Sequence, residues 1–542
     1  MPAEKKNSID YRTLSSSANK GGKKTHEQTT LKPLNQEGIE QTTSPAPSDF
    51  VKPKQSRQIP SENSSVNTED VQAEFGVLPA LNQVNLNETS SDSTQTKQQK
   101  SKKEEKKAAK DRDLLGNDRW LERNGHTFTY VGLYLFSILV LFRPYELIPG
   151  LGFLSATAFY FAIATLLIFI PTQFSTEGNF TILTTEVKAV LVLIAISLLT
   201  IPIAKDPGMA WKEFNDTFIK AVLIFVIMVN VIRTQARLMG MMWLSLSIGV
   251  VLSYLAIGMY SRGEMNVEGY RVSVQIGGMF QNPNEMSLHL IMMIPLAITL
   301  GLATKSALMK LVYLATTIFL LSANMITFSR GGFLGLLGAS ALMVWKLGRR
   351  NRVSVTLFSV VIGTVITLLA PGNYGLRVLS IFIPGLDPVG SSSQRSELLE
   401  RSILVSLRNP WGIGMGNFPI VGIRNLVSHN AFTQVSAELG VLGLIAYLVF
   451  MLSPFRKLGA IERTQFEKNE TDWFFYTAIG LQASIVAYLI GSFFASVAYN
   501  WFIYYLIAYA VAFRRVYQIE KGLNEEVKAQ PLIESFWSAK PA

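Results

Sequence analysis

The sequence contains no cysteine, which excludes disulfide bonds, thiolate metal sites and cysteine nucleophiles. Histidine is scarce as well, and no two of the four histidines have the spacing of metal ligands. We therefore predict neither a metal site nor another cofactor. Charged residues are also few: they make up 16% of the chain, well below the roughly 25% typical of soluble domains.

The polar residues are concentrated at the start of the chain. Residues 1–112 are rich in Ser, Thr, Asn, Gln, Lys, Glu and Pro, and cannot bury enough apolar surface to offset chain entropy. We predict a disordered cytoplasmic region there, and the polar first residues do not suggest a cleavable signal peptide. The basic cluster at 100–112 either binds anionic lipids or only orients the chain, and we favour the second interpretation.

Apolar runs of a length that spans a bilayer as a helix follow, up to residue 513. We predict an all-α polytopic membrane protein. Its transmembrane domain occupies 129–513, after a juxtamembrane segment at 113–128 and before a cytoplasmic tail at 514–542. About twelve spans are expected, at 129–142, 152–171, 184–203, 217–232, 238–260, 284–303, 311–328, 332–347, 353–370, 432–452, 474–493 and 498–513.

The net charge of +11 would suggest a nucleic-acid partner in a soluble protein. Here many basic residues flank the apolar runs, so we predict orientation by the positive-inside rule, with cytoplasmic N- and C-termini and no nucleic acid. Some outside loops nevertheless carry basic residues against this trend, which indicates that something other than topology retains them. These residues are Arg143, Lys205, Lys212, Arg262, Arg271 and Arg330.

One large outside loop, residues 371–430, is predicted to contain short interfacial helices. Its positive charges are all arginine: Arg377, Arg395, Arg401, Arg408 and Arg424. Guanidinium groups bind phosphate oxygens in a two-pronged manner and stay charged when desolvated, so this bias indicates a diphosphate site. Apolar residues at helical spacing predict a helix in the membrane interface that carries Arg395. They are Leu399, Ile403, Leu404 and Leu407.

Two helix starts on the same side are candidate site elements. Ser329 is predicted to cap a helix that begins at Arg330, where free amides and the helix dipole favour an anion. The alternative is an arginine whose side chain extends to lipid headgroups. Asn282 is predicted to cap a helix with Pro283 first and Glu285 third.

The sequence Ser428-His429-Asn430 precedes the next apolar run. If Ser428 caps that span, then Asn430, Gln434 and Glu438 form a polar stripe that enters the bilayer, where such groups are functional candidates. His429 lies at its rim and is a candidate general base. The alternative is a structural histidine at the helix end.

Taken in order, the motifs GGMFQNPNEMS, FSRGG, SSQRSELLERSILVSLRNPWGIGMGNF and SHNAFTQVSAELGVLGLIAYL resemble the O-antigen ligase and polymerase superfamily of bacterial envelope glycosyltransferases. The resemblance covers roughly residues 130–513. It implies a metal-independent membrane enzyme of the bacterial inner membrane whose active site faces the periplasm. The donor would be an undecaprenyl-diphosphate-linked glycan. The acceptor would be the lipid A core, another glycan or a protein.

The resemblance also implies roles for individual residues. Arg330 and Arg395 would bind the donor diphosphate, with Arg401 as a further candidate, and His429 would activate the acceptor hydroxyl. The chain has Gln394 before Arg395 where the family usually has glycine. From the residue patterns described above, and not from the resemblance, we predict that Asn282, Asn430, Gln434 and Glu438 support the site. The implied chemistry is direct displacement with inversion.

Other functions fit parts of the pattern. A polysaccharide polymerase, acting on O-antigen or exopolysaccharide, belongs to the same superfamily. A secondary transporter or lipid-linked glycan flippase would have a similar number of spans. It predicts ionisable residues within several central spans, whereas Glu438 is nearly alone. A non-catalytic scaffold would not require an arginine-selective loop.

Overall fold

The computed structural model describes residues 125–521, except 149, 156, 277–279, 281, 350–351, 369, 371, 373, 381–382 and 384–390. This part of the chain is helical, and its one β-bridge joins Val267 to Arg271. The predicted disordered region 1–112 and most of the predicted tail, from residue 522, lie outside the described residues.

The helices coincide with the predicted spans and add short ones between them. They are α1 Thr127–Leu141, α2 Pro144–Leu147, α3 Thr157–Glu177, α4 Thr185–Thr200, α5 Pro207–Glu213, α6 Ile219–Val231, α7 Gln235–Ser261, α8 Pro283–Ala303, α9 Ala307–Ile326, α10 Arg330–Leu347, α11 Arg352–Leu368, α12 Tyr374–Leu379, α13 Ser391–Arg408, α14 Phe418–Val421, α15 Ala431–Glu467, α16 Trp473–Gly491 and α17 Trp501–Glu520. A π-helical turn, Phe214–Phe218, joins α5 to α6, and 3-10 turns lie at Gly152–Ser155, Ile423–Asn425 and Ser492–Phe494.

Eight helical segments of the described part are long and apolar enough to cross a membrane, so the chain is a multi-pass membrane protein. They are Thr127–Glu146, Gly152–Glu177, Pro207–Val231, Gln235–Ser261, Pro283–Ala303, Ala307–Ile326, Ala431–Glu467 and Trp473–Phe494. The remaining long helices, α4, α10, α11 and α17, are shorter or more polar. The count of twelve spans and the periplasmic placement of residues 371–430 therefore stay predictions.

Helix α16 is the centre of the packing, because it contacts α8, α10 and α15. Small residues let these helices approach closely, as in other membrane helix pairs. A Cβ on Gly335 of α10 would come to 2.8 Å from the Ala487 carbonyl oxygen of α16, and one on Gly491 would meet Leu288 of α8. This packing fixes the first residues of α8 and α10 relative to each other.

Helix α15 is broken at Gly440, which has φ 72° and ψ −173°. The residues 409–418, here called the glycine loop, supply the hydrogen bonds that the helix loses. Ile413 N donates to Ala437 O at 3.0 Å, Gly414 N donates to Glu438 O at 2.9 Å, and Val441 N donates to Pro410 O at 3.0 Å. The break is therefore stabilised by backbone pairing with the loop.

The glycine loop is also attached to the turn before α5. Lys205 N donates to Ile413 O at 3.0 Å, and Asp206 N donates to Asn417 Oδ1 at 2.6 Å. Asn417 Nδ2 in turn donates to Asp206 O at 3.2 Å. The loop therefore joins α15 to the α4–α5 connection, and the sequence did not predict this packing role for its glycines.

Carboxylates near the helix ends far from Arg330 and His429 pair with cations from distant helices. Glu177 pairs with Arg233 at 2.8 Å and with Arg515. Glu186 pairs with Lys457 at 2.8 Å. Glu462 pairs with Lys346 at 2.6 Å and Arg349 at 2.8 Å. These pairs hold α3, α4 and α10 to the C-terminal helices.

Candidate active site

A pocket of about 400 Å³ lies where four separate parts of the chain meet: the segment after α7, the start of α8, the start of α13, and His429 before α15. Its lining residues are Val267, Glu268, Arg271, Asn282, Pro283, Asn284, Gln394, Arg395 and His429. A larger cavity of about 700 Å³ lies beside it, near Tyr254 and Phe319, and none of the predicted site residues lines that cavity.

His429 adopts a left-handed backbone conformation, with φ 52°. This turn makes Asn430, not Ser428, the N-cap of α15: Asn430 Oδ1 accepts from Phe432 N at 2.9 Å and Thr433 N at 3.1 Å. The predicted capping role of Ser428 is therefore wrong. Its hydroxyl instead donates to Asn430 O at 2.9 Å and lies 3.0 Å from Ser496 Oγ.

The pKa of His429 is lowered below its ordinary value of 6.5. The larger cause is burial, which disfavours the charged imidazolium, and the second is the positive charge of Arg395. The imidazole is therefore neutral near pH 7. A neutral imidazole beside a cavity can accept a proton from a bound hydroxyl group.

Arg395 reaches the pocket from α13, which confirms the predicted helix in this part of the loop. Leu398 and Val405 are the buried apolar residues of α13, and they belong to a cluster with Phe418 of α14. Three of the four residues of the predicted apolar stripe, Ile403, Leu404 and Leu407, are instead exposed. An exposed apolar face suits contact with lipid, and the interfacial position of α13 stays a prediction.

The predicted cap of α10 is confirmed, because Gly332 N donates to Ser329 Oγ at 3.2 Å. Arg330 is the first residue of the helix and is nearly buried, at 9% exposure. Its Nη1 donates to Ser380 Oγ at 3.2 Å. Arg330 thus contacts the residue that follows α12 and is not among the residues that line the pocket.

Arg401 is also outside the lining of the pocket. Its Nε donates to Val421 O at 2.9 Å and thereby ties α13 to α14. Of the three arginines predicted to bind a diphosphate, the structure places Arg395 alone among the residues that line the pocket with His429.

The supporting residues divide between the pocket and the interior. Asn282 lines the pocket and caps α8, as predicted, by accepting from Asn284 N at 2.9 Å. Glu438 is 1% exposed, and its Oε1 accepts from Phe418 N at 3.3 Å. Glu438 is thus linked to the glycine loop.

Asn430 and Gln434 share one face of the first turns of α15. The Asn430 Nδ2 and Gln434 Oε1 atoms are buried, and neither has a hydrogen-bond partner among the described residues. Buried polar atoms normally have such partners. The two atoms therefore offer one donor and one acceptor in the turn that follows His429.

The sequence did not predict Glu268, Arg271 and Asn284 as pocket residues. One signal for Arg271 was present, because its positive charge lies in an outside loop against the topological trend. The pocket-lining position of Glu268, like that of Asn284, depends on a tertiary contact between loops that the sequence alone does not define.

Comparison with known proteins finds one family. The family model Wzy_C, described as O-antigen ligase, matches residues 315–448, a range that contains Arg330, Arg395, Arg401 and His429. No curated protein matches the chain significantly. The family match and the order of the motifs lead to the same assignment: residues 315–448 are similar to the O-antigen ligase family.

Proposed function

We propose that the protein is a membrane glycosyltransferase of the O-antigen ligase type. It transfers a glycan from undecaprenyl diphosphate to an acceptor hydroxyl group at the periplasmic face of the bacterial inner membrane. The observation that carries the proposal is the shared pocket: Arg395, a cation suited to phosphate, and His429, a neutral base, both line it.

In the proposed reaction the bond between the sugar and the diphosphate oxygen breaks, and the diphosphate takes the bonding electron pair. Negative charge therefore builds on the leaving group. The Arg395 guanidinium stabilises that charge by two-pronged hydrogen bonding. A fixed guanidinium in a partly buried site does this more effectively than solvent, because it requires little reorganisation.

His429 performs the other half of the displacement. Its imidazole takes the proton of the acceptor hydroxyl while the hydroxyl oxygen attacks the anomeric carbon from the face opposite the diphosphate. The products are the new glycoside, undecaprenyl diphosphate and an imidazolium that releases its proton to water. A single displacement of this kind inverts the anomeric configuration.

In this proposal Arg330 and Arg401 do not make the first contact with the diphosphate. Both residues already donate hydrogen bonds within the protein, to Ser380 Oγ and Val421 O, and neither lines the pocket, so we assign the first phosphate contact to Arg395. In the observed arrangement Arg330 contacts the segment at Ser380, and Arg401 holds α14 against α13.

The acceptor is proposed to contact the start of α15. The unpartnered Asn430 Nδ2 and Gln434 Oε1 offer a donor and an acceptor, which suits a hydroxyl group. The lipid A core, a second lipid-linked glycan and a protein each present hydroxyl groups. A ligase and a polymerase of the superfamily therefore remain the two forms of the proposal.

The proposal is tested in a deletion strain that carries plasmid-borne variants. His429→Gln removes the base, and we expect transfer to fall by about 100-fold or more, the usual contribution of a general base. Arg395→Gln should lower it by a similar factor. Arg424→Gln is the matched control, because Arg424 is an exposed arginine of the same loop and does not line the pocket.

Surface glycan is measured on gels and membrane content by immunoblotting. Full-length surface glycan from a His429→Gln strain with normal membrane content would contradict the proposal. The empty deletion strain separates its two forms. Loss of polymerised glycan identifies a polymerase, whereas polymerised glycan that stays lipid-linked identifies a ligase.

A further inference from the structure

Arg271 lines the pocket, although its side chain is only 4% exposed. A guanidinium buried to this degree needs hydrogen-bond partners in the protein. Its Nε donates to Thr327 O at 2.8 Å, and its Nη2 donates to Asn284 Oδ1 at 2.8 Å. Its Nη1 lies 3.4 Å from Glu268 Oε1. One side chain therefore joins its own loop, the first turn of α8 and the turn before α10.

Asn284, in the first turn of α8, also joins the loop of Arg271 to the turn before α10. Its Oδ1 accepts from Ser329 Oγ at 3.0 Å in addition to Arg271. The Ser329 hydroxyl itself accepts from Gly332 N at 3.2 Å and so caps α10. A continuous set of hydrogen bonds thus runs from the pocket wall to the helix that begins with Arg330.

The turn between α9 and α10 needs this support. Phe328 has φ 50°, a left-handed conformation that is unfavourable for a bulky aromatic residue. Such a conformation persists only where the surroundings determine it strongly. Here Arg271 binds Thr327 O, Val272 N donates to Ile326 O at 3.3 Å, and the Phe328 ring packs against Tyr374.

We propose that Arg271 and Asn284 form a positioning pair for the donor diphosphate. Their hydrogen bonds fix the start of α8, which follows Asn282 and forms one wall of the pocket. The same hydrogen bonds hold this wall against the turn before α10. The distance between this wall and Arg395 then sets the space available to the diphosphate. This inference rests on the proposed glycosyltransferase function, because it assumes a diphosphate in the pocket.

Geometry makes the pair sensitive to conservative changes. Arg271 binds two acceptors that lie on different elements, which requires the planar fork of a guanidinium. Lysine retains the charge but presents a single ammonium group at the end of a flexible chain. Asn284→Asp keeps an acceptor oxygen for both Arg271 and Ser329, yet it adds a negative charge to the wall that faces the diphosphate.

The test measures binding of undecaprenyl diphosphate to the purified full-length protein in nanodiscs, with undecaprenyl monophosphate as the comparison ligand. Arg271→Lys and Asn284→Ala should each raise the Kd for the diphosphate about tenfold, the usual effect of losing one such hydrogen bond. Asn284→Asp should also raise it about tenfold, because the added charge repels the ligand, while its Tm stays at the wild-type value. The effect should be smaller for the monophosphate.

Arg262→Lys is the matched control. Arg262 lies on the same loop but is exposed, pairs with Glu264 at 2.7 Å and does not line the pocket. Wild-type diphosphate binding by both Arg271→Lys and Asn284→Asp would overturn the inference, even if Tm falls, because the pair would then be only structural. Absence of diphosphate binding by the wild-type protein would instead overturn the proposed function, and the inference with it.

Discussion

Gly412 and Gly440 lie against each other where the glycine loop crosses the break in α15. A Cβ on Gly412 would come to 2.8 Å from the amide nitrogen of Gly440, and a Cβ on Gly440 would come to 2.9 Å from that of Gly412. Both residues have positive φ, 88° and 72°. The contact therefore requires glycine on both sides, for steric and conformational reasons together.

Gly440→Ala should destabilise the protein by about 2 kcal/mol or more, because the left-handed backbone alone costs about 1–2 kcal/mol for alanine. Thermal unfolding of the detergent-solubilised protein measures this as a fall in Tm. Gly363→Ala is the control, since Gly363 is an exposed glycine within α11 and nothing lies within 4 Å of its Cβ position. Equal Tm values for the two variants would show that the break does not need glycine.

The pH dependence of transfer should follow His429. Because its pKa lies below 6.5, the base is neutral and active at pH 7, and the rate should fall as pH drops through that lowered pKa. Arg395→Gln removes the second cause of the shift, so the pKa should rise and the acid limb should move to higher pH.

Values of kcat/KM for the donor, measured between pH 5 and about 8, provide this profile, because they report the pKa of the enzyme without bound donor. Arg424→Gln should leave the acid limb unchanged, which separates the charge of Arg395 from the general charge of the loop. An acid limb that stays in place in Arg395→Gln would show that His429 does not titrate under the influence of Arg395.

We expect Glu438 to stabilise the protein as a hydrogen-bond acceptor. Glu438→Gln keeps an oxygen for Phe418 N, so the free energy of unfolding should stay within about 1 kcal/mol of wild type. Glu438→Ala leaves that buried amide unpaired and should cost about 1–3 kcal/mol. Denaturation midpoints compare the two variants. Loss of transfer in a stable Glu438→Gln protein would mean that the carboxylate charge itself takes part in the reaction.

Removing one partner of the buried pair between Lys346 and Glu462 should strongly destabilise the protein. The two side chains are 7% and 1% exposed, so Glu462→Gln would leave the Lys346 charge without compensation. We expect a loss of about 3–5 kcal/mol, measured as a fall in Tm. Glu470→Gln is the control, because Glu470 and Lys521 form an exposed pair that should contribute about 1 kcal/mol or less. Similar Tm values for both variants would contradict this.

The sequence predicted the helices well, because apolar length and capping residues such as Asn282 and Ser329 are local signals. It also selected Arg395 and His429, which the structure places around one pocket. It did not predict the break at Gly440, since a glycine within an apolar run gives no local sign of the loop that will pair with it. The cap at Asn430 was missed because the left-handed turn at His429 is not encoded by residue type.

The remaining site residues were missed for a similar reason. The side chains of Arg271 and Asn284 meet where the segment after α7 folds back on the start of α8, and neither residue carries that information in its own neighbourhood. Arg330 was predicted to bind the donor diphosphate, and this role stays a prediction. Its guanidinium bonds to Ser380, fifty residues further along the chain, and long-range contacts of this kind decide which of several arginines line the pocket.

The position of the glycine loop in the chain also has a consequence for biosynthesis. Residues 409–418 leave the ribosome before residues 431–467. The glycine loop is therefore already present when α15, the helix that it interrupts, is synthesised. Ala437 and Glu438 can therefore pair with the loop during membrane insertion, and α15 need not first form as one straight helix. The chain order thus favours correct assembly of the broken helix during translation.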